Sequence, residues 1–243
     1  MSIAGGVDMA PARGASVGCR AMQVFVKNNN RWDGPPITPA QVTRFHSELA
    51  GAGIALNHVF AHTGYLINLA SPKPDVLGKS RIAIEDELLR CGQLDIPGVV
   101  MHPGSPTGGD RDTGLRQVAA ECAAVIDRTP GVTTRILFET TVGAGSHLGA
   151  TFQDLHDLLV LTDRPDRTGI CMDTCHIFAA GYPISSAEDY AATFTQFDQV
   201  IGFEHLKLFH VNDSVPGFGS RVDRHAGLGL GQIGIDFFRS WTF

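Results

Sequence analysis

The sequence predicts an α/β fold of the TIM (β/α)8-type barrel class, and three observations lead to this prediction. Six short apolar runs recur along the chain, and each run ends at a polar or potentially metal-binding residue. Stretches with helical periodicity separate the runs, as expected for a parallel sheet covered by helices. The residues that end the runs recur at intervals of 34 to 40 residues and are Lys27, His62, His102, Glu139, Asp173 and His210.

Each strand and helix of the predicted barrel corresponds to a segment of the sequence. The strands are expected at residues 22–26, 54–61, 99–101, 136–138, 170–172 and 206–209. Helices are expected at residues 39–50, 80–94, 115–127 and 152–161. A repeat of about 37 residues with reactive side chains at the strand ends is the pattern of a barrel. An open doubly wound sheet is the alternative, but its site would use a few strand ends near one switch point.

The length of 243 residues fits one large domain, and we expect a single barrel domain over residues 1–243. Extending the repeat places one further strand before Met1 and another beyond Phe243. From the sequence we therefore expect an incomplete barrel that lacks its first and last strands.

Composition restricts the partners and the compartment. No apolar run approaches the roughly 20 residues that span a membrane, and the start of the chain does not resemble a secretory signal. Five scattered cysteines do not form a disulfide framework, which favours a reducing cytoplasm. The net charge of −6 argues weakly against nucleic acid, unless bound cations offset the carboxylates.

Five successive strand ends carry His, His, Glu, Asp and His, and the strands of a barrel bring such side chains into one bowl. Imidazole with carboxylate suits zinc, manganese or iron. His176 follows Asp173 by three residues, and Asp223 and His225 form a second pair on a glycine-rich loop. Eight candidate ligands exceed the four or so of one zinc, so two or three ions are expected. A single-metal site with the other residues around it is the alternative.

Six segments of the chain resemble the successive motifs of the endonuclease IV family, in the same order. They are His62-Thr-Gly-Tyr-Leu-Ile-Asn-Leu, His102-Pro-Gly-Ser, Glu139-Thr-Thr-Val-Gly-Ala-Gly-Ser, Asp173-Thr-Cys-His176-Ile-Phe-Ala-Ala-Gly-Tyr, His210-Val-Asn-Asp and Gly219-Ser-Arg-Val-Asp223-Arg-His225. The resemblance implies a zinc-dependent DNA-repair enzyme that incises DNA on the 5′ side of abasic sites.

The same resemblance implies three zinc ions. His62, His102 and Glu139 would hold the first ion, and Glu139 would bridge to a second. The second would also be held by Asp173 and His210, and it lacks one further ligand that the family takes from its last strand. The third would be held by His176, Asp223 and His225. Glu139 is the candidate catalytic residue, and we expect this polypeptide alone to incise far less than a full-length relative.

The expected partner is double-stranded DNA containing abasic sites, bound by a monomer. By resemblance, Tyr65 and Leu66 would enter the damaged duplex, as would Asn30 or its neighbour Arg31. Alternatively, Lys27 and Arg31 would contact only backbone phosphates or solvent.

Two other functions remain open from the sequence. A metal-dependent sugar isomerase or epimerase uses similar residues on the same barrel, and a non-catalytic remnant would bind metal or DNA without cleavage. Gly229–Gly234 matches G-x-G-x-x-G, but it follows a polar loop, so dinucleotide binding is not expected.

Overall fold

The structure is a computed structural model, and it describes residues 1–240. Strands and helices alternate along most of this range. The strands are Met22–Val24 (β1), Val59–His62 (β2), Gly98–Met101 (β3), Arg135–Glu139 (β4), Thr168–Asp173 (β5), Leu206–His210 (β6), Asp213–Ser214 (β7) and His225–Ala226 (β8). The helices are Ala10–Ser16 (α1), Pro39–Ala52 (α2), Pro74–Gln93 (α3), Arg111–Arg128 (α4), Phe152–Thr162 (α5), Thr174–Ala180 (α6), Ala187–Val200 (α7) and Ile235–Ser240 (α8).

Local sequence signals explain where the helices begin and end. Helix α2 starts with a capping box in which Thr38 accepts from the Gln41 backbone N–H and the Gln41 side chain accepts from the Thr38 N–H. It ends at Gly53, whose φ of 67° is the left-handed conformation that glycine adopts at low cost. Helix α6 is capped at its N-terminus by Asp173, whose side chain accepts the His176 N–H. Asp173 is therefore both the last residue of β5 and the capping residue of α6.

The chain divides into two compact units, and the first comprises residues 1–101 and 121–136. Its strands β1, β2 and β3 pair in parallel, with Met22 opposite Val59 and Ala61 opposite Val99. The start of β4 joins β3, because the Arg135 N–H donates to the Pro97 carbonyl at 2.9 Å. The fully buried apolar side chains of this unit include Phe45, Val59, Ala61, Leu88, Val99 and Val125.

The second unit comprises residues 102–120 and 137–243. Its strands β5 and β6 pair in parallel, with Asp173 opposite His210. The Thr140 N–H, just after β4, donates to the Cys171 carbonyl of β5. Strands β7 and β8 form a separate antiparallel pair in which Ser214 lies opposite His225. The fully buried apolar side chains include Phe138, Phe152, Leu155, Leu158, Ile170, Met172 and Phe197.

The six predicted barrel strands are all present, and the strand order follows the chain order in each unit. Helix α3 starts at Pro74, six residues before the predicted start at Ser80. Proline at the first helical position needs no backbone N–H partner, so the helix extends to it. No helix among residues 1–240 is long and apolar enough to cross a membrane.

Candidate metal centre

The strand ends carry the predicted ligands at the positions expected. His62 is the last residue of β2 and belongs to the first unit. Glu139, Asp173 and His210 end β4, β5 and β6, and His102 directly follows β3. Seven of the eight predicted ligands belong to the second unit, where they lie close together.

Glu139 is the centre of one group of these side chains. Its carboxylate is buried, with 1% of the residue exposed. One oxygen, Oε2, lies 2.9 Å from His102 Nε2, and the other, Oε1, lies 2.6 Å from His210 Nδ1. His176 Nδ1 lies 3.6 Å from the same Oε1. The two oxygens of the carboxylate therefore contact different imidazoles.

His176, Asp223 and His225 form a second group. His176 Nε2 lies 3.2 Å from Asp223 Oδ2, and His225 Nε2 lies 3.3 Å from Asp223 Oδ1. The two Nε2 atoms lie 3.3 Å apart. Two imidazoles and a carboxylate converging on one point form a donor set that zinc binds.

Asp173 lies between the two groups. Its Oδ2 is 3.8 Å from His210 Nδ1 and 3.7 Å from His225 Nε2. The side-chain amide of Asn212 donates to the same oxygen at 2.6 Å. Because Asp173 is fully buried, its charge acts on both groups through a medium of low polarity.

Hydrogen bonds behind the groups fix the orientation of the rings. His176 Nδ1 lies 2.7 Å from the Thr140 carbonyl, which accepts the Nδ1–H and turns Nε2 towards Asp223 and His225. The Thr140 hydroxyl accepts the Asp173 backbone N–H at 2.9 Å. Metal-binding histidines are oriented in this way in proteins. The residues of the second unit therefore fit a bound divalent cation.

The electrostatics of the centre also favour positive charge. Burial alone would lower the pKa of His176, but the nearby Asp173, Asp223 and Glu139 raise it to about 10. Burial likewise opposes protonation of His210, yet the hydrogen bond to Glu139 and the charge of Asp173 raise its pKa. The hydrogen bond from His176 lowers the pKa of Asp223. A cation placed among these carboxylates is stabilised by the same interactions that hold these protons.

The residues predicted to contact DNA lie in the first unit. Tyr65 is 67% exposed and Leu66 is 37% exposed, and Asn30 and Arg31 are exposed as well. The Tyr65 ring is held edge-on against Phe25, with 5.4 Å between the ring centroids. The Tyr65 ring is therefore packed on one side and exposed to solvent on the other.

Lys27 does not reach solvent, which corrects the interpretation that it contacts phosphates. Its ammonium is buried and lies 2.8 Å from Asp86 Oδ2 and 3.4 Å from Glu87 Oε1. The sequence around Lys27 gave no indication of these partners, because they lie about 60 residues away on α3.

Comparisons with known proteins identify the family of the chain. Residues 11–241 match the family described as xylose isomerase-like TIM barrel. A probable endonuclease 4 from Chloroflexus aggregans is 48% identical over 239 residues, which cover 98% of this chain and 83% of the relative. The corresponding protein of Geobacter sulfurreducens is 44% identical, with coverage of 98% and 80%. The chain belongs to the endonuclease IV family.

Solved structures give the same result for the fold. Endonuclease IV from Thermus thermophilus matches with a TM-score of 0.85 at 32% identity, covering 98% of this chain and 84% of that chain. A D-psicose 3-epimerase matches with a TM-score of 0.61 at 12% identity, covering 88% and 82%, and this likeness shows the fold alone. The prediction of a TIM barrel of the endonuclease IV family is therefore confirmed.

In this member of the endonuclease IV family, several residues near the candidate ligands were missed by sequence reasoning. Thr140 and Asn212 follow strand-end ligands within two residues, so proximity to the motifs could have indicated them. Cys171 and Cys175 each have a sulfur close to candidate ligand atoms. Burial raises the pKa of the Cys175 thiol to about 11, so this sulfur stays protonated at neutral pH.

Asp213 was also missed, and it organises the glycine-rich loop. Its carboxylate accepts the backbone N–H groups of Ser214, Gly229, Gly231 and Ile233 at 2.8 to 3.1 Å. A Cβ at Gly231 would lie 2.4 Å from the Ser214 carbonyl, so only glycine fits there. The G-x-G-x-x-G match thus reflects a loop packed on β7 and not a phosphate-binding turn.

Proposed function

We propose that the protein is a metal-dependent endonuclease that hydrolyses the DNA phosphodiester on the 5′ side of abasic sites, in DNA repair. The observation that carries this proposal is the arrangement of Glu139, Asp173 and the imidazoles around them, in a chain of the endonuclease IV family. The relatives named probable endonuclease 4 support the same activity.

We further propose that the metal is zinc and that three ions bind. Glu139, Asp173 and His210 would hold one ion, and His176, Asp223 and His225 would hold another. The assignment of His62, His102 and Glu139 to a third ion remains a prediction from the family resemblance. When bound, zinc supplies a Lewis acid for the phosphoryl oxygens and lowers the pKa of a water that attacks phosphorus.

The protein side chains would act mainly by holding positions. Imidazoles contact both oxygens of Glu139, so its carboxylate has a fixed orientation and suits a bridging ligand better than a mobile base. Asp173 lies between the two groups of candidate ligands, and the Asn212 amide fixes its Oδ2. This fixed arrangement would orient the scissile phosphate without reorganisation during the reaction.

DNA binding would use the exposed loops of the first unit. Tyr65 and Leu66 would wedge into the duplex at the abasic site, and Asn30 and Arg31 would contact the strand next to them. A chain with a net charge of −6 lacks an overall basic surface, so bound zinc would supply much of the positive charge that meets the phosphates.

We also propose that residues 1–243 form a single domain that works as a monomer in the cytoplasm. Helix α4 and strand β4 each contribute residues to both compact units, which supports one cooperative domain. The five cysteines are free thiols, in keeping with a reducing compartment. A single calorimetric unfolding transition and a monomeric mass by light scattering would test the first two statements.

The activity is tested on a synthetic duplex with one abasic site and on the same duplex without it. The purified chain is stripped with a chelator and reloaded with zinc before the assay. Incision 5′ to the abasic site, restored by zinc and abolished in Glu139→Gln, is the expected result. A zinc-loaded protein that leaves the abasic strand intact but epimerises a ketose would overturn the proposal.

A further inference from the structure

A buried group of charges lies behind the exposed loops of the first unit. Lys27 follows β1, and Asp86, Glu87 and Arg90 lie on one side of α3. The side chains of Lys27 and Glu87 are 2% and 1% exposed, and Arg90 is buried as well. A buried ion pair gains little net stability, because desolvation offsets the attraction between the charges. The group therefore calls for an explanation beyond stability.

The two basic side chains reach the loop that follows β1. Lys27 Nζ donates to the Trp32 carbonyl at 3.0 Å. Arg90 donates to the Gly34 carbonyl at 2.9 Å and to the Pro35 carbonyl at 2.8 Å. Asp86 joins the two cations, at 2.8 Å from Lys27 Nζ and 2.9 Å from Arg90 Nε. Residues 28–35 are thus held from behind by three carbonyl contacts.

The acidic side chain of Glu87 reaches the loop that follows β2. Both of its oxygens accept the Gly64 N–H, at 3.1 and 3.2 Å. Directly beside this contact, the Tyr65 N–H donates to the Asn29 carbonyl at 3.0 Å and joins the two loops. A Cβ at Gly64 would lie 3.3 Å from both Asn29 O and Glu87 Oε1, so the three segments are tightly packed.

We propose that Lys27, Asp86, Glu87 and Arg90 form a loop clamp that holds residues 28–35 and 63–66 in one fixed arrangement for binding damaged DNA. The clamp side chains are positioning residues: they do not touch DNA, and they act through Asn30, Arg31, Tyr65 and Leu66 on the exposed side of the loops. The part of the proposal that concerns DNA rests on the proposed function.

The shared clamp makes a sharp prediction for two single substitutions. Glu87→Met removes the acceptor of the Gly64 N–H, and Arg90→Met releases the Gly34 and Pro35 carbonyls. Because the Tyr65 to Asn29 hydrogen bond couples the loops, each substitution should speed amide hydrogen exchange in both loops. The measurement uses the full, zinc-loaded chain without DNA. The matched control is Glu85→Met, which removes an ion pair between Glu85, on the same helix α3, and Arg128 at the end of α4; both side chains are partly exposed, and neither loop should change.

Two milder variants keep the test valid if a methionine variant does not fold. Glu87→Gln retains an oxygen that accepts the Gly64 N–H, so it should keep wild-type exchange in both loops. Gly64→Ala leaves every charge in place but forces Asn29 or Glu87 to move by a few tenths of an ångström. Gly64→Ala should therefore speed exchange in both loops.

Kinetics on the abasic duplex separate positioning from a general loss of structure. If the loops are correctly arranged for only a tenth of the time, the apparent affinity falls about tenfold. We expect KM to rise by that factor in Glu87→Met and Arg90→Met, with kcat and zinc content unchanged. Glu87→Gln should restore the wild-type KM.

The possible failures are distinguishable. If each substitution speeds hydrogen exchange only in the loop that it contacts, or in neither loop, the proposed loop clamp is wrong, whatever the activity of the protein on DNA. A fall in kcat with unchanged KM would overturn the positioning role. If the wild-type protein neither binds nor incises the abasic duplex, the proposed function fails, while hydrogen exchange still decides whether the clamp couples the loops.

Discussion

The Nε2 atoms of His176 and His225 lie 3.3 Å apart and face the same carboxylate, that of Asp223. The two residues reach this point from different elements. His176 lies in the first turn of α6, and His225 lies on β8, which is held by its pairing with β7. The donor set thus depends on tertiary packing, and changes at either element should affect it.

Removing one imidazole from this set should remove one bound ion. We expect His225→Ala to bind one zinc ion fewer per chain than the wild type, because a carboxylate and one imidazole leave the ion with two protein donors. Elemental analysis after dialysis against a weak chelator measures the difference. His58→Ala is the control, since His58 is exposed and precedes β2, at the opposite end of that strand from the candidate ligand His62. Equal zinc content in the two variants would contradict the assignment.

The positions of the strands and of the strand-end ligands could be predicted from the sequence. A buried parallel strand is a continuous apolar run, and its last residue marks the edge of the sheet. His62, Glu139, Asp173 and His210 accordingly end strands as expected. The period of the repeat carried this prediction, because each βα unit has a similar length.

The supporting contacts could not be predicted, because they join residues far apart in the chain. Lysine side chains are usually exposed, and only the packing of α3 shows that Lys27 is buried beside Glu87. His176 is oriented by the backbone carbonyl of Thr140. Every residue has such a carbonyl, so the residue type at position 140 does not indicate this contact. In the sequence, Asp213 is only one polar residue of a motif. Its role as an acceptor of backbone N–H groups depends on how a loop 16 to 20 residues further along the chain folds.

Asp213→Asn should disturb the metal centre from a distance. Asp213 is fully buried and accepts four backbone N–H groups, and an amide would turn an N–H₂ group towards some of these donors. We expect a loss of about 2–4 kcal/mol in the free energy of unfolding. Because β7 positions His225 through Ser214, zinc affinity at that group should fall as well.

Urea unfolding and competition with a zinc-binding dye measure the two effects of Asp213→Asn. Asp236→Asn is the control, since that side chain is 91% exposed. If Asp213→Asn leaves both stability and zinc affinity unchanged, the loop does not depend on this carboxylate.

Truncating the wedge should weaken DNA binding without affecting the metal. Stacking of one aromatic on a base contributes about 1–3 kcal/mol, so Tyr65→Ala should weaken binding of an abasic duplex by about tenfold or more. Tyr65→Phe should retain most of the affinity, because the ring is kept. Fluorescence anisotropy with the abasic and the intact duplex measures both. A Tyr65→Ala variant that binds the abasic duplex like the wild type would contradict the role.

The ionisation of Glu87 should be visible in the pH dependence of the free energy of unfolding. Burial raises the pKa of this carboxyl from 4.5 to about 7, and Lys27 and the Gly64 N–H only partly oppose the rise. The negative charge of Asp86 raises the pKa of Glu87 further. The other ionisable side chains near Glu87 on the same helix are those of Arg90 and Cys91. In the unfolded chain the carboxyl ionises near 4.5. Glu87 therefore contributes most to stability below pH 4.5, and its contribution falls as the pH rises through about 7.

Glu87→Gln keeps the neutral shape and removes this titration. Relative to the wild type, the variant should gain on the order of 1–3 kcal/mol in the free energy of unfolding between pH 4.5 and 8. Urea unfolding of both proteins across this range measures the difference, and other titrating groups cancel in the comparison. Glu85→Gln, on the exposed side of α3, should show no such trend. A difference that is flat with pH, or that grows in favour of the wild type, would mean that Glu87 ionises at least as readily in the folded protein as in the unfolded chain, so that Lys27 outweighs burial.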